Sequence, residues 1–129
     1  MDALQTQVFG SMQYRSGMSE PAALTLDQGG MIQDCTDAGE ELFGFSRNEL
    51  AQHHISLLFP QLSDTALLSN GLINSRLLFL SHCGHLFWAM DRDGEAFFSE
   101  LFFSQLEYGA HPILRVIVRP SDGAPRPNA

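Results

Sequence analysis

Lysine is absent from this 129-residue chain, and all seven basic residues are arginine. Without a lysine amine there is no Schiff base, no phosphate-binding loop of the usual kind and no kinase nucleotide site. Cysteine is scarce: Cys35 and Cys83 are the only two, too few for a disulfide scaffold, and a reducing compartment keeps them as thiols. No apolar run approaches the roughly 18 residues that would span a bilayer, and the first twenty residues are too polar for a secretory signal. A soluble, cytoplasmic protein without membrane contact is the expectation. Positive charge is also in short supply, with seven basic residues against fifteen acidic ones and a formal net charge of -8. Such a surface repels phosphate backbones, so nucleic acid is not an expected partner.

What is present suits a single folded core. Hydrophobic residues make up 44% and charged residues 17%, a balance that supplies the apolar surface needed to offset ordering entropy. The length suits one domain rather than two. Leu4, Val8, Phe9 and Met12 would share one face if residues 3–14 are helical, which makes residues 1–20 an amphipathic capping or dimerisation segment. Gly17 and the Glu20–Pro21 pair interrupt it. At the other end SDGAPRPNA, with two prolines and no large apolar residue, reads as a tail or the start of a linker over residues 121–129.

Between these ends, Ala23–Leu26 and Met31–Asp34 flank Asp27-Gln28-Gly29-Gly30 and predict a hairpin. Asp37 and Glu40 stand at capping-box spacing and predict a short helix with Leu42 and Phe43, ended by Gly44. Ser46 and Glu49 repeat the spacing for a second helix, with Phe45 placed to staple onto Leu50. His54–Phe59 predicts one more brief helical or turn segment, stopped by Pro60. Residues 61–80 carry Leu67, Leu68, Leu72, Ile73 and Leu77 at spacings compatible with a helix that Gly71 weakens. From Leu86 onward the period becomes two: a strand to Asp91, a turn at Asp93-Gly94, a long strand Ala96–Leu106, a turn at Tyr108-Gly109-Ala110 and a last strand Ile113–Arg119.

With its hairpin and GG turn, then MIQDCTDAGEELFGFSRNEL, HHISLLFP, DRDGEAFFSEL and ILRVIVRP in that order, the stretch Ala23–Pro120 resembles a PAS domain. Asp37 stands where that family often has asparagine, and Phe45 where it often has tyrosine. The segment from Pro60 to Leu86, which forms much of the ligand cavity in the family, matches poorly. The resemblance implies an α+β fold over residues 21–120, a five-stranded antiparallel sheet with short helices on one face. It further implies a sensing or interaction module of bacterial type rather than an enzyme, one that binds a small molecule or cofactor between sheet and helices and signals through contacts with a partner, an output domain or a kinase. An output domain does not fit within these residues, so a fragment of a larger sensor and a free-standing module are both open.

The residues assigned to the inner, ligand-facing set are Phe43, Phe59, Leu77, Leu101, Phe103, Leu114 and Val116, with Trp88 as a further member whose strand could present either face. The ten phenylalanines support an alternative: the cavity is filled by the chain's own side chains and the module is a ligand-free association scaffold. The long strand carries large apolar groups on both faces, which a one-sided sheet does not need. Phe98, Phe102 and Ile117 therefore define an outer patch, the mark of an interface. Leu4, Val8 and Met12 are placed to cover it in the same subunit or in a partner, and a homodimer is expected.

The histidines raise a metal or haem reading. His82-Cys83-Gly84-His85 holds three potential ligands, but neither the zinc pattern nor the haem-attachment signature is present. His82 and His85 are the only axial candidates that the resemblance offers for haem. No stretch resembles the NCRFLQ motif of the flavin photosensors, so covalent flavin chemistry is not expected. Asp91, Asp93 and Glu95 cluster on a turn expected to be solvated, and no GxSxG elbow accompanies any serine; catalysis is not expected.

Overall fold

The computed structural model describes residues 20–108 and 111–121. Their elements run in the order β1 (Ala22–Leu26), β2 (Ile32–Cys35), α1 (Asp37–Phe43), α2 (Arg47–Leu50), 3₁₀ turns at Ile55–Leu57 and Pro60–Leu62, β3 (Leu68–Ser69), β4 (Leu72–Ile73), α3 (Ser75–His82), β5 (Phe87–Met90), β6 (Ala96–Tyr108) and β7 (His111–Pro120). The expected helix over residues 3–14, with Leu4, Val8 and Met12, lies outside the described residues, as do Gly109, Ala110 and the tail beyond Ser121. Five strands form one antiparallel sheet in the order β2-β1-β7-β6-β5. The α+β class and the sheet expected from the sequence are therefore present.

Turn chemistry fixes the ends of the strands. In the β1–β2 hairpin the Asp27 carboxylate accepts from the Gly29 and Met31 N–H groups. Gly30 has φ +85°, and a Cβ there would stand 2.7 Å from His54 Nε2, so this position requires glycine on two counts. Between β5 and β6, Asp91 Oδ1 accepts from the Asp93 and Glu95 N–H groups across the turn expected at Asp93-Gly94.

Three local expectations are corrected. The cap of α1 is Thr36, whose hydroxyl accepts from Gly39 N–H and Ala23 N–H and donates to the Pro21 carbonyl; Asp37 is already inside the helix. Glu40 is then free to accept from the Arg47 backbone N–H at 2.6 Å, which links α1 to α2. Pro60 starts a 3₁₀ turn as well as stopping one, because its missing N–H is no loss at a helix start. The largest difference is at residues 61–80. Leu68–Ser69 and Leu72–Ile73 pair across Asn70-Gly71, whose φ values of 56° and 80° are those of the tight turn that suits a two-residue hairpin. The helix occupies only the second half of that segment. Ser46 and Glu49, by contrast, form the expected reciprocal capping box.

The helices lie on one face of the sheet: α1 packs on β1, α2 beside β2 and α3 on β6. Both sheet edges are closed. Ile32 of β2 pairs outward with Gln52 and His53 through the backbone. On β5 the Gln61 side-chain amide takes the place of a neighbouring strand, its nitrogen donating to the Trp88 carbonyl at 2.6 Å and its oxygen accepting from Trp88 N–H at 2.7 Å.

Candidate functional site

The space between the sheet and the helices is the first candidate. Phe43 reaches it from the end of α1, Phe59 from the link between the two 3₁₀ turns and Leu77 from α3, while Leu101, Phe103, Leu114 and Val116 point into it from β6 and β7. All seven are buried in one apolar cluster, so the inner set read from the sequence is brought together, with one exception. Trp88 lies opposite Phe98 in the β5–β6 register and is 41% exposed. It belongs to the outer face because β5 turns Phe87 and Ala89 inward.

Aromatic rings occupy this interior. Phe43 meets Phe59 edge-on at 5.9 Å and Phe97 at 5.9 Å, and Phe87 meets Phe103 edge-on at 6.5 Å. Phe43 and Phe59 are fully buried. Phe87 and Phe97 were absent from the sequence-derived set; their signal is the parity they share with Ser99 and Leu101 across the β5–β6 register. Ser99 is the one buried polar residue of the described core, and its hydroxyl has no hydrogen-bond partner.

The two histidines offered as axial haem ligands lie outside the buried cluster. His82 is exposed and its Nδ1 lies 2.9 Å from the Leu78 carbonyl oxygen. His85 instead packs edge-on against Phe87, with ring centroids 4.7 Å apart. Among the described residues no three His, Cys, Asp or Glu side chains gather where they could hold a metal ion. Cys35 is buried at the end of β2, and desolvation pushes its thiol up to about 11, which keeps it protonated and unreactive at neutral pH. Apart from the Cys35 thiol and the Ser99 hydroxyl, the buried side chains of the described core are apolar. A cleft of about 460 Å³ reaches Leu77 and Phe87 from outside, between Gln61–Ala66 and α3.

The outer face of the sheet is the second candidate. Phe98, Phe102 and Ile117 lie there half-buried, and Trp88 and Leu106 are exposed. Phe102 faces Ile117 across the β6–β7 register. Arg119 lies over the Phe102 ring at 5.2 Å and is held by Glu100 through contacts of 2.7 and 3.0 Å. A cleft of about 620 Å³ opens beside this pair, lined also by Glu20, Pro21, Ala38 and Leu42. Sequence periodicity identified the three apolar residues, whereas the cleft depends on where α1 and the lead-in to β1 meet the sheet.

Elsewhere, arginines join elements. Arg47 contacts Asp34, Asp37 and Glu40 at 3.4, 2.7 and 3.4 Å. Arg92 binds Glu49 at 2.6 Å and lies over Phe45, and this guanidinium holds the Glu49 carboxyl below the usual carboxylate range. The carboxylates of Asp91, Asp93 and Glu95 are placed at a hairpin turn, and Asp91 spends Oδ1 on backbone N–H groups.

No family model and no curated protein matches the chain. Solved structures do. A PAS domain from a two-component sensor histidine kinase superposes with a TM-score of 0.59 at 17% identity, covering 78% of this chain and 85% of its own. For the PAS domain of nitrogen regulation protein NR(II) from Vibrio parahaemolyticus the TM-score is 0.55 at 22% identity, with coverages of 78% and 88%. A variant of the fungal photoreceptor VVD gives 0.53 at 12% identity, with coverages of 86% and 85%. At these identities the likeness is one of fold.

Proposed function

Because the chain has the PAS fold, we propose that it is a non-catalytic sensory or signalling module that works by association, with the outer sheet face as its contact surface and a second copy of itself as its partner. The observation that carries this reading is the contrast between the two faces. Inside, the fully buried rings of Phe43 and Phe59 meet edge-on between sheet and helices, which supports an interior filled by the chain's own side chains. Outside, Trp88 faces Phe98 across β5–β6 and Phe102 faces Ile117 across β6–β7, two apolar pairs on either side of the Glu100–Arg119 ion pair. Covering a side chain of this kind fully contributes about 1.5–3 kcal/mol, and a patch of that type marks an interface. The neighbours named as a sensor kinase and a photoreceptor support a signalling role, in which the dimer passes its state to an output domain or kinase.

Sedimentation of the full chain tests this. The wild type is expected to dimerise at micromolar concentration, Phe102→Glu to be monomeric, and Phe79→Glu, a change at a position 65% exposed on α3, to behave as wild type. A Phe102→Glu protein that still dimerises, or a wild type monomeric at millimolar concentration, overturns the proposal.

One observation favours a second reading, ligand binding. The cleft that reaches Leu77 and Phe87 lies close to Ser99, which pairs with Phe87 in register and carries an unpartnered hydroxyl. Native mass spectrometry of freshly purified protein separates the two readings. A retained small molecule supports the ligand reading, and two bare chains support the scaffold.

A further inference from the structure

We propose that the solvent face of α3, with the cleft beside it, docks an acidic amphipathic segment of a partner protein, one large apolar side chain of which enters the cleft. This surface is on the helical side of the molecule and does not depend on the homodimer. Ser75, Arg76, Phe79 and His82 are the exposed residues of α3, and helical spacing puts them on the side opposite the buried Leu77. Phe79 is 65% exposed, and Leu72, in the hairpin that leads into α3, is 67% exposed. Among the described residues no other large apolar side chain is as open to solvent. Apolar surface rimmed by polar residues marks a protein interaction site.

The rim here is positive. Residues 65–90 contain no aspartate or glutamate, although the chain carries fifteen, and only Arg76, His82 and His85 can bear positive charge there. Among the described residues Arg47, Arg92 and Arg119 are each held by a carboxylate, whereas no ion pair engages Arg76. A chain of net charge -8 repels acidic segments over most of its surface, so this stretch is where one can approach. The cleft of about 460 Å³ supplies the anchor point: Leu62, Leu77 and Phe87 give it apolar lining, Arg76 and His85 stand on its α3 side and Asp64 lies on the segment opposite. That arrangement sets the orientation of the segment, with its acidic residues over α3 and away from Asp64. An amphipathic helix laid into such a groove reads as apolar anchors at i, i+3, i+4 and i+7, and complementary charge selects it over a basic helix of the same apolar pattern.

The test is an amide NMR titration of the isotope-labelled full chain with synthetic helical peptides that carry Leu and Phe at i, i+3, i+4 and i+7 and glutamate at the other positions. The same peptides with lysine for glutamate serve as the comparison. The glutamate peptides are expected to shift the amides of α3 and of residues 61–66 saturably, and to bind at least tenfold more tightly than the lysine peptides. Phe79→Ala and Arg76→Glu are each expected to weaken that binding about tenfold with the melting temperature unchanged, and Arg76→Glu to improve binding of the lysine peptides. Equal affinity for the two sets, shifts confined to the outer sheet face, or no shift at all overturns the proposal. Self-association of the wild type that is lost in Phe79→Ala makes a second copy the occupant and overturns it as well. So does flotation with phosphatidylserine vesicles in the absence of peptide binding, which assigns the patch to a membrane surface. A wild type that stays monomeric and binds the glutamate peptides at α3 supports this proposal and overturns the homodimer alone.

Discussion

Gly39 sits inside α1, where alanine would ordinarily be the better helix former by roughly 1 kcal/mol. Here a Cβ would stand 2.5 Å from Cys35 Sγ and 3.4 Å from Thr36 Oγ1. The sulfur belongs to a short buried side chain with little room to retreat, so overpacking outweighs propensity. Gly39→Ala is expected to destabilise the protein by about 1–3 kcal/mol, measured by urea unfolding. In a Cys35→Ala background the same change is expected to be neutral or stabilising. An additive double mutant would show that the sulfur is not the obstacle. Thr36 offers the complementary lesson: one hydroxyl serves three backbone groups, and its position one residue before Asp37 gives the helix a cap that the acidic pair alone did not reveal.

At the scale of elements, the exposed edge of β5 is closed by the Gln61 amide and by the Leu58 carbonyl, which accepts from Met90 N–H at 2.8 Å. An open edge with an exposed tryptophan is a template for pairing between chains. Gln61→Ala is expected to cost about 0.5–1.5 kcal/mol, to speed exchange of the Trp88 amide at least tenfold and to raise light scattering on heating. An unchanged Trp88 amide would mean that the edge is protected by other contacts. The small β3–β4 hairpin is fixed in the same manner, Gln105 of β6 donating to the Gly71 carbonyl at 2.6 Å. Its Asn70-Gly71 turn is a local signal that sequence carries in full, although the leucine spacing around it also satisfies a helix.

For the whole molecule, the interior is where phenylalanine rings from distant elements meet, Phe43 with Phe59 and Phe87 with Phe103. If aromatic rings fill the space between sheet and helices, removing one should create a cavity that did not exist. Phe43→Ala is expected to lose about 3–5 kcal/mol and to gain the ability to take up a small apolar aromatic molecule such as benzene, which an apolar cavity can hold. Thermal unfolding with and without benzene checks this: the variant's melting temperature should rise by several degrees and the wild type's should not move. A wild type stabilised as much as the variant would mean that the interior already holds open space.

Alternation along Ala96–Leu106 and Ile113–Arg119, the capping box at Ser46 and Glu49 and the turn at Asp93-Gly94 were sufficient to specify the sheet, the helices flanking it and the division of β6 into two apolar faces. Each depends on neighbours within a few residues, and local sequence encodes such relations directly. The side that Trp88 faces could not be read that way, because a four-residue strand with apolar groups at every position has no parity of its own until Phe87 pairs with Ser99. Nor could the sequence decide whether the interior is hollow, since that depends on how rings from α1, the 3₁₀ link, β5 and β6 meet in three dimensions. The cleft beside Phe102 and Ile117 is likewise a product of packing, formed where residues distant in the chain converge.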